Sequence, residues 1–316
     1  MSQSGASLQM GADWDPTRSA RERLDQLIRS YRHVVTEHLE PLVRGYHPSM
    51  LTGSRDEYLK MLELTTKMNV VGHACTEVAG FEYDARRQHV GSLFGACCFL
   101  ADSFIDDFDD ATTRDYLDRL GVLLAEGWFD LRNDRERLFY VIVSRLFSGR
   151  DIMNATTRQA ILRLYEAQKH DVELRLARTY SEARPGRSEL NALRQCASNR
   201  SGHAILVLSA FLLPELDLNY IALIYTAGAL IMFIDDHGDC FSDLAHDRVT
   251  FMNQVKYPER TLRRIFVSYV QRVYRGLPPG NGRDLLIAFL TRYYLTRLDK
   301  HRQQKLKTAS GWAVYE

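Results

Sequence analysis

At 316 residues the chain is long enough for one large domain or two small ones. Its 45% hydrophobic and 26% charged residues are ordinary globular values, and 41 basic against 40 acidic residues give a net charge of +1, without the basic excess that marks a nucleic-acid binder. Five cysteines, Cys75, Cys97, Cys98, Cys196 and Cys240, show no C-x-x-C spacing, which speaks against a disulfide framework or a zinc site and fits a reducing, cytoplasmic setting.

Residues 1–14 lack the basic head and apolar stretch of a secretory signal and read as a mobile tail. Leu24, Leu27, Ile28, Tyr31, Val34, Val35 and Leu39 then recur at the spacing of an amphipathic helix near 18–45. Ser54-x-x-Glu57 predicts a capping box opening a helix near 54–75, and Asn133-x-x-Glu136 predicts another opening one near 133–148. Between them lie a largely apolar helix near 85–108 and one near 113–129. Further helices are expected near 155–180, 188–213, 218–243, 258–275 and 283–306, separated by turn signals at Arg184-Pro185-Gly186, Pro214 and Pro278-Pro279-Gly280. No stretch alternates with period two. The fold class is therefore all-α, a single domain over 15–316 with about ten helices.

The longest apolar run, residues 218–234, is about the minimum needed to cross a bilayer, but it carries Asn219, Tyr220, Tyr225 and Thr226 and runs into acids, so a core helix is expected and no stable membrane span. Two such runs end on the same seven-residue pattern: Phe104-Ile105-Asp106-Asp107-x-x-Asp110 and Phe233-Ile234-Asp235-Asp236-x-x-Asp239. Acids at a helix C-terminus are locally unfavourable. Neither Lys nor Arg occurs between Arg87 and Arg114, or between Arg200 and Arg248, so the compensating charge must come from elsewhere in the chain or from a ligand. Asp106, Asp107 and Asp110 present oxygens together at helical spacing, and Asp235, Asp239 and Asp243 form one stripe at i, i+4 and i+8. Several hard oxygens without Cys or His in register suit magnesium, which binds a few carboxylates together with substrate phosphate. The simpler role for Asp109 and Asp110 is to cap the following helix. The two motif-bearing helices are expected side by side, acidic ends together.

Two such motifs in an all-α chain of this size resemble the class I isoprenoid synthase superfamily, which holds terpene cyclases, trans-prenyl chain-elongating synthases, and squalene and phytoene synthases. The resemblance implies a single catalytic domain of helices packed around a deep central apolar cavity, with several Mg2+ ions bridging both acidic motifs to an isoprenyl diphosphate, whose ionisation gives a carbocation that cyclises or rearranges. Asp235, Asp239 and Asp243 keep the spacing of the second cyclase metal motif, with aspartates only. Asp235, Asp236 and Asp239 also satisfy the second motif of elongating enzymes. The Gly-Gly-Lys and Arg-Arg elements of elongating enzymes are missing, with Ala111-Thr112-Thr113-Arg114 where the arginine pair would stand, so a cyclase-like enzyme is favoured over prenyl transfer or condensation.

By the same resemblance Arg194 corresponds to the diphosphate-sensing arginine, and Arg200, Arg248 and the pair Arg292-Tyr293 are further diphosphate-binding candidates. Phe99, Phe104, Phe108, Phe211, Tyr225 and Phe233 are the aromatics available to face a carbocation, with plain core the simpler role for each. Asp107-Phe108-Asp109-Asp110 also spells the proton-donating motif of class II cyclases, whose additional helical domains are missing here.

Other classes fit less of the chain. An HD-type phosphohydrolase would use His170-Asp171 or His246-Asp247 and leave both acidic motifs unexplained. A di-iron bundle needs two Glu-x-x-His pairs. A non-catalytic helical binding protein would keep the acids without turnover, and a homodimer is compatible with the composition. Residues 260–264 and 300–307 read as charged, solvated faces, the second also placed to fold over the cavity mouth.

Overall fold

The computed structural model describes residues 16–106, 109–148, 155–176, 185–215, 217–246 and 248–312, and within them every regular element is a helix. In chain order these are α1 (Arg18–Tyr46), α2 (Ser49–Thr52), α3 (Arg55–Val78), α4 (Ala85–Asp106), α5 (Asp110–Glu126), α6 (Asp134–Phe147), α7 (Ala155–Leu176), α8 (Arg187–Leu212), α9 (Leu218–Ala245), α10 (Phe251–Gln254), α11 (Pro258–Gly276) and α12 (Asn281–Trp312). All ten expected helices are present. Two single turns, α2 and α10, are additional, too short for periodicity to reveal.

Five helices close a ring: α4 packs on α3, α3 on α12, α12 on α9, α9 on α8, and α8 back on α4. Around it, α1 covers α3 and α12, α6 covers α4, α7 covers α8, and α11 covers α9. One continuous core runs through this arrangement from Ala20 on α1 to Leu298 on α12. The expectation that α4 and α9 lie side by side is corrected: α8 packs against both and separates them. A gap between the two motif-bearing helices is what leaves room for a cavity at their acidic ends.

The closest approach of α8 and α9 is written in glycine. A Cβ on Gly228 would sit 2.5 Å from the Ser201 carbonyl oxygen and 3.0 Å from the Gly202 Cα, and one on Gly202 would strike the Tyr225 ring at 2.5 Å. Gly127 closes α5 in the left-handed conformation (φ 74°), its N–H donating to the Leu123 carbonyl.

The capping expectations fare unevenly. Ser54 stands at the N-cap of α3, but its side chain makes no capping hydrogen bond, and Glu57 pairs instead with Arg135 of α6 at 2.7 Å. Asn133 does accept from the Glu136 N–H at 2.9 Å. Glu136 turns to a buried pair with Arg119 at 2.7 Å and accepts from the Arg132 N–H rather than closing the box. A bidentate charged partner outcompetes a neutral backbone N–H for a carboxylate.

α9 is the one described helix long and apolar enough to cross a membrane by length and composition, with 61% of its apolar window buried. It packs against α8, α10, α11 and α12, so its apolar surface serves the core.

Candidate functional site

Asp109 is settled as a helix cap. Its Oδ1 accepts from the N–H groups of Ala111 and Thr112 at 3.0 Å each, and its Oδ2 from the Thr112 hydroxyl. Asp106 ends α4 and Asp110 begins α5. Asp107 and Phe108 lie outside the described residues, as do the side chains of Asp106 and Asp110. One helical turn before Asp106, Asp102 stands at i−4 and is half-exposed. The end of α4 is fixed here by Ile105, which packs with Leu117 of α5 and Val172 of α7.

The second motif opens into a cavity of about 150 Å³. From α9 it is lined by Asp235, Asp236, Asp239 and Asp243, with Asp102 from α4 and Asp171 from α7. Arg200 of α8 and Arg248, just after α9, supply positive charge. Leu193, Ala197, Met232, Val249 and Phe251 form the apolar part of the wall. The volume is below the roughly 300 Å³ at which sites for drug-sized ligands begin. As lined by the described residues it suits a small charged group.

Charge compensation comes from distant segments, as the absence of local Lys and Arg required. Arg200 reaches Asp171 at 3.1 Å and Asp102 at 3.6 Å, joining α8 to α7 and α4. From α12, Tyr293 donates its hydroxyl proton to Asp235, Arg297 pairs with Asp235 and at 3.5 Å with Asp239, and Lys300 pairs with Asp239. Gly238 makes the Arg297 contact feasible: a Cβ there would sit 2.8 Å from the Arg297 Cδ. Burial raises the Tyr293 phenol above its ordinary range, with Asp239 and Glu63 adding to the effect, so it remains a proton donor.

Asp236 is the most perturbed acid. Burial pushes its carboxyl up to about 8, Asp243, Asp171 and Asp239 push in the same direction, and Arg200 opposes them. Next to it, fully buried His237 is held down to about 4 by burial and by His301, whose ring stacks on it at 4.0 Å. It is neutral near pH 7.

Of the expected site residues, the cavity unites Asp235, Asp239, Asp243, Arg200 and Arg248, and Tyr293 touches it through Asp235. Two arginines fall elsewhere. Arg194 is exposed and does not line the cavity. Arg292 pairs with Asp25 of α1, because its position on α12 faces α1 while Tyr293, one residue on, faces α9.

Among the proposed aromatics, Phe104 stacks on Tyr116, Phe211 packs with Phe94 and Phe147, and Phe233 packs with Phe251 and Tyr269. Tyr225 donates to Asn199 at 2.6 Å. These four, like Phe99, lie outside the cavity lining, and Phe251 is the aromatic that does line it.

His170 and His246 are exposed, and His246 Nδ1 lies 2.7 Å from the Ser242 carbonyl oxygen. Asp171 enters the cavity without His170, so that pair is not assembled there, and Asp247 lies outside the described residues.

Sequence reasoning missed Asp102 and Arg297 as members of the site, and named Asp171 only within the HD alternative and Lys300 only within the charged 300–307 run. Asp102 could have been found, being on the Asp106 stripe. The others required the packing of α7 and α12.

The donor set around the cavity is carboxylate oxygen, the chemistry magnesium prefers. Among the described residues no three His, Cys, Asp or Glu side chains converge as ligands. Asp235 and Asp239 are turned to α12, and the acidic side chains of the first motif are not among those described. The chain matches no protein-family model and no curated protein sequence.

Proposed function

We propose that this protein ionises an allylic isoprenyl diphosphate with magnesium and converts the resulting carbocation to a terpene, in the manner of class I terpene cyclases. The observation that carries the proposal is a single cavity that gathers Asp235, Asp236, Asp239 and Asp243 from α9 with Asp102 from α4, and adds Arg200 and Arg248. Acids for metal and arginines for phosphate oxygens in one enclosure are the elements of a metal-diphosphate site.

In this reading Asp235, Asp239 and Asp243 would hold magnesium together with Asp106, Asp107 and Asp110 of the first motif. Magnesium, when bound, supplies Lewis-acid stabilisation of the departing diphosphate. Arg200 and Arg248 bind and orient the diphosphate oxygens, and Tyr293 keeps Asp235 in place. Leu193, Met232, Val249 and Phe251 exclude water beside the breaking carbon–oxygen bond. For magnesium to engage Asp235 and Asp239, Arg297 and Lys300 would have to release them.

The test is incubation with geranyl, farnesyl and geranylgeranyl diphosphates and magnesium, with and without isopentenyl diphosphate. Hydrocarbon or alcohol products are expected. Lengthened diphosphates, formed only with isopentenyl diphosphate, would assign prenyl transfer instead, and a condensed prenyl dimer would assign a squalene- or phytoene-synthase-like reaction. Asp107→Ala and Asp239→Ala should each reduce turnover by at least about 100-fold, since even outer-shell partners of a metal are worth 10–100-fold. Wild-type turnover in either variant refutes the assignment.

A further inference from the structure

We infer that the surface formed by α11 and the end of α12 docks the protein onto bilayers bearing anionic lipid. This inference does not depend on the reaction proposed above. α11 is amphipathic: Leu262, Ile265, Phe266, Val270 and Val273 are buried against the core, and the opposite face is basic. Lys256, Arg260, Arg263 and Arg264 are all exposed. Glu259 is the one acid between Lys256 and Arg275, and it is paired with Arg302 of α12 at 2.9 Å.

The register of α11 against α12 follows from two contacts. Phe266 stacks on Tyr294 at 4.1 Å, and Glu259 pairs with Arg302, so the helices run antiparallel. This register carries residues 305 and 306, beyond Arg302, towards the start of α11, which Lys256 and Tyr257 immediately precede. That corner exposes Tyr257 (55%) and Leu306 (71%), two large apolar side chains, beside Lys256 and exposed Lys305. Six cations, Lys256, Arg260, Arg263, Arg264, Arg302 and Lys305, stand against Glu259 and Asp299 there, while the whole chain carries +1.

Basic side chains around protruding apolar ones match the headgroup region of an anionic leaflet, where the cations meet phosphate and the apolar groups enter the acyl boundary. A phosphate-backbone binder has no use for exposed Tyr257 and Leu306 among its cations, and a chain of net charge +1 lacks the general basic excess of nucleic-acid binders. The same end of α12 carries Lys300, which holds Asp239, so the docking surface adjoins the acidic cavity.

The test is co-sedimentation of the full chain with phosphatidylcholine vesicles, with and without phosphatidylserine, at physiological salt. Binding is expected only with phosphatidylserine. Arg260→Glu combined with Arg263→Glu and Arg264→Glu should weaken it by about a hundredfold or more, at roughly 1 kcal/mol for each basic residue near the surface. Tyr257→Ser with Leu306→Ser, a surface change that leaves the core untouched, should make the remaining binding wash off as salt is raised. Arg114→Glu with Arg137→Glu, on α5 and α6, should leave binding unchanged, and circular dichroism checks that each variant is folded. No binding to either vesicle, equal binding to both, or preferential capture of duplex DNA or RNA overturns the inference.

Discussion

Arg297 stands across α9 in contact with both Asp235 and Asp239, its guanidinium carbon 5.4 Å from the centre of the Tyr293 ring. It thus occupies, with Lys300, the electrostatic role that a divalent ion would take at the same carboxylates. Arg297→Met keeps the aliphatic stem and removes the competing charge, so metal affinity should rise by about tenfold, the equivalent of 1.4 kcal/mol. Displacement of Mn2+ followed by electron paramagnetic resonance reads this without turnover. Unchanged or weaker Mn2+ binding would show that the contact does not compete with metal.

Asp236 gives a second expectation at this scale. Its carboxyl titrates at about 8 in the folded chain against 3.8 as its ordinary value, so the folded state holds a proton that the unfolded state has lost between those limits. Folded-state stability contributed by this group is therefore complete below about pH 4 and declines as pH rises towards 8. Metal-free protein should melt at progressively lower temperature over that window, and Asp236→Asn should remove that component of the slope.

Among the elements, the α8–α9 pair determines where the site's charges meet, because Arg200 lies two residues before Gly202, and Gly228 lies about two turns before Asp235, the first acid of α9. Gly228→Val places branched carbon where 2.5 Å separates a Cβ from backbone, so the helices must part. Overpacking of this kind costs about 1–3 kcal/mol. A lowered urea midpoint is expected, together with loss of activity beyond that explained by unfolding, since Arg200 moves with α8. A variant as stable as the parent would mean that the helices absorb the added volume by rotation.

For the whole molecule, a headgroup with magnesium would join α4, α8 and α9, so its binding should be felt as global stability. Saturation at about 100 times Kd stabilises the folded state by about 2.7 kcal/mol, several degrees in a chain of this size. Magnesium with inorganic diphosphate should raise the melting temperature by that amount, and by more than the two do separately. Equal, additive shifts would indicate two unconnected sites.

The all-helical architecture and the ten long elements were legible in the sequence because helical periodicity and Gly/Pro punctuation are local properties, readable within a turn or two. The α9 stripe Asp235, Asp239, Asp243 was legible for the same reason, as was the need for cations from outside the motif. Tertiary structure alone decided which cations answered. Along the chain Arg194 was the favoured diphosphate-sensing arginine and Arg200 a further candidate, yet α8 turns the first to solvent and the second to Asp171 and Asp102. Arg292 and Arg297 sit five residues apart on α12, and the rotation of that helix sends the first to α1 and the second to the acids of α9. A side chain's type is written at its own position, but its partner depends on which helix faces are brought together, and that is settled by the packing of segments tens to hundreds of residues apart.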